Sequence, residues 1–178
     1  MKMRPRFSVA VLTVSDRCSR GEARDTSGPA LAEIIERELS GEVVATACVP
    51  DDIEAIREQL RTWTAAAAPL DLVLTTGGTG LAPRDVTPEA TRPLLERRHP
   101  GLLELARLRC YPRMPRAFLS RGEAGTIGRT LVINLPGSQQ GSGETLRALA
   151  DVLPHALDEL RGGGEHEDER TTGSEPLP

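Results

Sequence analysis

The feature that most restricts this chain's fold is an alternation. Short apolar, β-rich runs pass straight into loops of Gly, Ser, Thr and Asp, and helical patterns follow. Phe7 to Val14 is a continuous apolar run, as expected of a strand buried on both faces. Ser15 to Gly28 is polar and breaks the pattern. Pro29 then opens a helix in which Leu31, Ile34, Ile35 and Leu39 share a face, and Gly41 ends it. Val43 to Val49 reads as a second strand, and Asp51 to about Thr64 as a second helix. Asp71 to Thr75 is a third buried strand, running into TGGTG.

Farther on, Thr87-Pro88 reads as a capped helix start, and Pro100-Gly101 interrupts that helix before it continues from Leu102 to Cys110. The stretch from Tyr111 to Gly128, rich in Pro, Gly and Arg, receives no assignment. Thr130 to Leu135 is a further strand, ending at PGS. From Gly143 to Arg161 the pattern is helical, with a break or kink expected at Pro154. The expected organisation is one folded domain over residues 1–161 and a disordered acidic tail over residues 162–178, where apolar residues almost vanish.

Strands alternating with helices imply an α/β fold with a mostly parallel central sheet covered on both faces. The 178 residues suffice for one such domain. In such sheets ligands bind outside the carboxyl ends of the strands. Three loops leave strands there: SDRCSRGEARDTSG, TGGTGLAPRDVTP and PGSQQGSG. The site is expected where they meet.

Composition narrows the function classes. The net charge is −4 and no basic block occurs, which argues against a nucleic-acid partner. The apolar run near the start is too short for a membrane span, and SDR stands where a signal cleavage site would be. Three widely spaced cysteines and three scattered histidines make no zinc spacing, which fits a reduced, cytoplasmic protein. With only Phe7, Trp63, Tyr111 and Phe118 as aromatics, recognition by stacking has little to work with. Trp63 reads as a packing residue, and His155 as packed or on the surface, without chemistry.

The loops carry the candidate chemistry. Thr76, Gly77, Gly78, Thr79 and Gly80 offer backbone N–H groups and hydroxyls without bulky side chains, which suits a phosphate cradle. The same residues also suit a plain tight turn. No Gly-Lys-Ser/Thr follows, so this is not a P-loop. Arg84-Asp85 adds a cation and a carboxylate, inviting Mg²⁺ and anion binding, although Asp85 also reads as a turn residue. Asp51 reads as an N-cap with Glu54 completing a capping box, a role compatible with chemistry. Asn134, Pro136, Gly137 and Ser138 form either a strand exit or a nucleotide contact, and Ser15-Asp16 either a ligand rim or a solvated loop.

Taken together, SDRCSRGEARDTSGP, VPDD, LVLTTGGTGLAPRDVTPEAT and TLVINLPGS resemble the molybdopterin adenylyltransferase family, which includes bacterial Mog-type proteins and the gephyrin G domain. The matching stretches run in family order over most of residues 7–161. The resemblance implies a three-layer α/β/α fold, a homotrimer, and a reaction needing Mg²⁺ and ATP as co-substrate. It places the family's two essential acidic positions on Asp51 and Asp85, as catalytic residues and metal ligands. Its nucleotide- and pterin-binding loops fall on Gly77 to Gly80 and Asn134 to Ser138, with Ser15 and Asp16 in the first loop. The implied activity is transfer of AMP from ATP to the terminal phosphate of molybdopterin, followed by hand-over to a molybdenum-insertion protein. A non-catalytic molybdopterin-binding or carrier paralogue is the alternative, and presence of both carboxylates argues against it. A clustering scaffold is a further reading.

Overall fold

The computed structural model describes residues 7–162. The expected tail, apart from Gly162, lies outside the described residues, as do residues 1–6. The chain runs β1 (Phe7–Val14), α1 (Asp16–Ser19), α2 (Ser27–Glu38), β2 (Gly41–Val49), α3 (Ile53–Thr64) and β3 (Leu72–Thr76). It continues through α4 (Thr87–Thr91), β4 (Arg97–Arg98), α5 (Pro100–Cys110), β5 (Ala124–Ile127), β6 (Thr130–Leu135), α6 (Gln139–Arg147) and α7 (Leu153–Leu160). Short 3₁₀ turns lie at Arg92–Leu94 and Pro115–Leu119.

One six-stranded sheet has the order β2-β1-β3-β6-β5-β4. β1 pairs in parallel with β2 and β3, and β3 with β6, whereas β5 and β4 extend the sheet antiparallel. The mostly parallel α/β reading therefore holds, with an antiparallel edge added. Of that edge, β5 comes from the unassigned stretch, where Ala124-Gly125-Thr126-Ile127 is short and carries a glycine, a weak strand signal. β4 corrects the expected helix from Thr87 to Pro100. α4 ends at Thr91, a 3₁₀ turn at Arg92–Leu94 follows over Pro93, and Arg97–Arg98 pairs with β5.

The pleat sends alternate residues of each strand to opposite faces and so divides the core in two. Val9, Val11, Leu72, Leu74, Leu131 and Ile133 meet Leu31 and Ile35 of α2, Leu102 and Leu103 of α5, Leu146 of α6 and Leu157 of α7. On the other face Ala10, Leu12, Val73 and Val132 meet Ile56 and Leu60 of α3 and Ala90 of α4. These are the expected three layers. β3 and β6 are buried at every position, while β2, an edge strand, alternates.

Several helix boundaries differ from expectation for local reasons. α2 ends before Gly41. Ser40 takes the left-handed position (φ 54°), and Gly41 starts β2. Asp52, not Asp51, caps α3, its carboxylate accepting from the Ala55 N–H at 2.9 Å. Glu54 pairs with Arg57 at 2.7 Å instead of closing a capping box. Val86 holds the cap position of α4, and the Thr87 hydroxyl donates to the Gly77 carbonyl at 2.9 Å. Pro100 and Pro154 each sit in the first turn of a helix, where a missing N–H is harmless. The expected break at Pro154 is the gap between α6 and α7, and the helical stretch starts earlier than Gly143, at Gln139.

Candidate active site

Parallel pairing brings the exits of β1, β2, β3 and β6 to one end of the sheet. The connections from β1 and β3 leave toward opposite edges, so the chain reverses its winding between these two neighbours, the position at which open α/β sheets form ligand crevices. Hydrogen bonds stitch the loops together there. The Thr76 hydroxyl donates to the Pro136 carbonyl at 2.7 Å, and the Ser27 hydroxyl to the Gly137 carbonyl at 2.9 Å. The Ser15 N–H reaches the Val49 carbonyl at 2.9 Å. The three expected loops do converge.

The glycine turn is tightly determined. Gly77 has φ 107°, and a β-carbon there would collide with the Val14 carbonyl oxygen. Gly78 also has positive φ, 62°, with Thr87 and Asp51 packed against it. Both conformations are costly for any residue with a side chain. Among the described residues, the N–H groups of Gly78, Thr79 and Gly80 have no protein acceptor. Successive free N–H groups in a turn form an anion-binding concavity.

Asp51 and Asp85 flank this turn. The Asp51 Oδ1 lies 3.2 Å from the β-carbon position of Gly78, and the Asp85 Oδ2 lies 2.8 Å from that of Gly80. Each carboxylate is half-buried and spends one oxygen on a backbone N–H. Asp51 Oδ2 accepts from Asp16 N at 2.8 Å, and Asp85 Oδ2 accepts from Ala82 N at 2.9 Å. The remaining oxygen of each has no donor among the described residues. Asp16 accepts in turn from the Asp51 N–H at 3.1 Å and pairs with Arg84 at 2.5 Å. The Arg84 guanidinium beside it holds the Asp16 carboxyl below the usual aspartate range.

Other expected site residues bond within the protein. Asn134 is fully buried, and its amide donates to the hydroxyls of Thr75 and Thr91 at 3.0 Å each. Its oxygen accepts from the Glu123 N–H at 3.1 Å, so the side chain ties β6 to β3, α4 and the start of β5. Thr76 and Thr79 are buried as well, and the Thr79 hydroxyl meets that of Ser120 at 3.1 Å. Ser15 and Ser138 cap α1 and α6. Gly137 packs on Gly77, with 3.0 Å between its β-carbon position and the Gly77 α-carbon.

Residues that the sequence reading passed over hold the site in shape. Arg121 donates to the carbonyls of Gly80 and Asp85 at 2.8 and 2.7 Å and pairs with Glu89. Asp25 accepts from the Thr13 hydroxyl at 2.6 Å and from the N–H groups of Ser27 and Gly28 at 3.0 Å, setting the start of α2. The Asp85–Glu89 spacing in the sequence hints at a loop anchored to a helix, but nothing in it announces the arginine that grips both. A groove of about 800 Å³ opens from the start of α6 between α6 and α2, lined by Glu33, Arg37, Glu38, Gln139 and Arg147.

Two carboxylates can hold a hard cation together with ligand oxygens, since Mg²⁺ commonly takes one or two carboxylates, waters and phosphates. Among the described residues no three His, Cys, Asp or Glu side chains group as a metal site by themselves. Two such carboxylates have the donor chemistry for a cation whose other positions are filled by phosphate oxygens and water.

Comparison with known proteins identifies the family to which this fold belongs. Residues 10–155 match the model of the family described as a probable molybdopterin binding domain. The molybdopterin adenylyltransferase of Helicobacter pylori strain J99 is 38% identical over 160 residues, covering 86% of this chain and 88% of the relative. The molybdenum cofactor synthesis protein cinnamon of Drosophila melanogaster is 44% identical over 151 residues, covering 85% of this chain but 25% of its own length. Against that longer relative, the chain therefore spans about a quarter. The crystal structure of the molybdopterin biosynthesis enzyme MoaB from Thermus thermophilus superposes with a TM-score of 0.82 at 52% identity, covering 88% of this chain and 97% of that one. A match across most of the sequence, with the fold to go with it, makes this chain a member of the molybdopterin-binding domain family of molybdenum cofactor biosynthesis.

Proposed function

We propose that the protein transfers AMP from ATP to the terminal phosphate of molybdopterin, releasing pyrophosphate. One observation carries the reading beyond family membership. Two half-buried carboxylates, each with an oxygen lacking a protein donor, flank a turn whose N–H groups of Gly78, Thr79 and Gly80 lack protein acceptors among the described residues. That combination of fixed donors and anionic ligands suits a polyphosphate and its counter-cation.

The chemistry follows from the charges. The attacking group is a phosphate oxygen already ionised at neutral pH, so no general base is required. It bonds to the α-phosphorus of ATP as the bond to the bridging oxygen breaks and pyrophosphate leaves. The obstacle is repulsion between two polyanions, with charge growing on the leaving group. Asp51 and Asp85 are the residues that would hold Mg²⁺, which when bound neutralises part of the triphosphate charge. The N–H groups from Gly78 to Gly80 bind phosphate oxygens at fixed positions, so little reorganisation accompanies transfer. The loop at Pro136–Ser138, pinned to the glycine turn, borders the adenylate.

A homotrimer is part of this reading. Self-association is supported by the exposed apolar side chains of Leu108, Tyr111 and Phe118, which adjoin one another, and of Leu119; the number of copies comes from the family resemblance. A cytoplasmic setting and hand-over of the product to a molybdenum-insertion protein complete it. The deciding experiment is incubation of the protein with molybdopterin, ATP and Mg²⁺. Adenylylated pterin and equimolar pyrophosphate are expected. Tight pterin binding without either product would identify a non-catalytic carrier.

A further inference from the structure

We propose that Arg121 is the positioning residue that sets Asp85 against the glycine turn, a role that rests on the adenylyl-transfer reading above. Between Gly80 and Asp85 the chain makes an excursion through Leu81, Ala82, Pro83 and Arg84, all exposed, with Leu81 at 69%. No apolar packing holds such a segment, and segments of this kind open at little cost unless polar bonds fasten them. Within it Asp85 and Ala82 bond each other, and Arg84 pairs with Asp16, while the guanidinium of Arg121 bonds the backbone at both ends of the excursion. Nε donates to the Gly80 carbonyl at 2.8 Å, and Nη2 to the Asp85 carbonyl at 2.7 Å.

The same side chain pairs through Nη1 with Glu89 on α4, so the excursion is fastened to a helix as well as to itself. Its own backbone is fixed in turn. The Arg121 N–H donates to the Thr79 carbonyl at 2.8 Å, and Arg107 donates to the Ser120 carbonyl at 3.0 Å. Arg121 bonds the carbonyl of Asp85 and not its carboxylate, leaving one carboxylate oxygen without a donor among the described residues. This is a task for a planar fork. Lysine offers one compact ammonium and cannot bridge two carbonyls and a carboxylate in diverging directions.

The test uses the full chain with Arg121→Lys and Arg121→Met, each first checked for an unchanged far-ultraviolet spectrum. Without substrates, amide hydrogen exchange over residues 80–86 should accelerate about tenfold in both variants, while strands β1 and β6 keep their rates. With molybdopterin, ATP and Mg²⁺, kcat for AMP transfer should fall about a hundredfold, the penalty for a small misplacement, with KM for molybdopterin within about threefold. Wild-type exchange and turnover in Arg121→Lys would overturn the proposal, since charge alone would then suffice. Lost turnover with unchanged exchange would also overturn it, pointing to contact with substrate. If the wild-type protein transfers no AMP, the functional reading fails by itself, and the exchange rates alone judge the fastening of the loop.

Discussion

Asp16 and Asp51 hold each other through a reciprocal pair of bonds. The Asp16 N–H donates to Asp51 Oδ2 at 2.8 Å, and the Asp51 N–H donates to Asp16 Oδ1 at 3.1 Å. The pair joins the start of α1 to the exit of β2. It brings two carboxylates side by side, a placement that Arg84 offsets by bonding Asp16. The consequence for Asp51 is orientation, because with one oxygen bound to backbone the other is left beside Gly78.

This arrangement separates chemistry from capping. Asp51→Asn keeps an oxygen for the Asp16 N–H and leaves the Asp52 cap intact, so stability should change by less than about 1 kcal/mol. AMP transfer should nevertheless fall at least about a hundredfold, the order of loss for removing one electrostatic stabiliser. Asp52→Ala should do the reverse, costing about 1 kcal/mol in urea melts while leaving turnover near wild type. Wild-type turnover in Asp51→Asn would remove it from the mechanism.

Asp85→Asn tests the other flank. The amide oxygen can still accept from the Ala82 N–H, so the loop should keep its shape. Molybdopterin binding measured by fluorescence should survive within about threefold, while adenylylated product falls at least about a hundredfold. Equal losses in binding and product would show that Asp85 contacts the pterin ligand instead.

Asn134→Leu distinguishes a framework residue from a ligand contact. The substitution strips partners from Thr75, Thr91 and the Glu123 N–H, all donors or acceptors within the protein. A loss of about 2–4 kcal/mol is expected from leaving several buried polar groups unpaired. ATP affinity of the folded fraction, measured by calorimetry, should stay near wild type. A selective loss of ATP affinity at unchanged stability would restore the nucleotide-contact reading.

The opposite pole of the sheet carries a pH-dependent clasp. Asp71 pairs with Arg161 through two bonds of 2.7 Å and accepts from the Ser8 N–H at 2.7 Å and its hydroxyl at 2.8 Å. Arg161 also lies over the Phe7 ring, 4.5 Å from its centre. Burial pushes the Asp71 carboxyl up, but Arg161 and then Ser8 outweigh it and hold it below the ordinary aspartate value. A carboxyl depressed in the folded state stabilises fully above its unfolded pKa, and that contribution disappears as pH falls through the folded value. Asp71→Asn should therefore cost about 1–3 kcal/mol near pH 7 and progressively less in acid, read from urea midpoints at a series of pH values. A constant difference across that range would contradict the linkage.

Local pattern was enough to determine the parallel part of this fold. Phe7–Val14 and Thr130–Leu135 are dominated by Val, Leu and Ile and bounded by turn residues, the pattern of a strand covered on both faces. Such strands need helices between them, and the carboxyl-end loops then have to converge. The glycine turn was legible for a similar reason, since Gly77 and Gly78 occupy backbone conformations that side chains resist. Tertiary structure decided what each polar residue does there. Asn134 and Ser138 are alike in the sequence as polar residues at a strand exit, yet Asn134 is sealed between two threonines and Ser138 caps a helix. Asp51 and Asp52 are neighbours of one type, yet one carboxylate meets the Asp16 N–H brought from the first loop and the other caps α3. Arg121 gave no local signal, because its bonds reach carbonyls 36 and 41 positions away. Hydrophobic periodicity is written within a few neighbouring residues, whereas the direction of a hydrogen bond is settled only when distant backbone arrives to meet it.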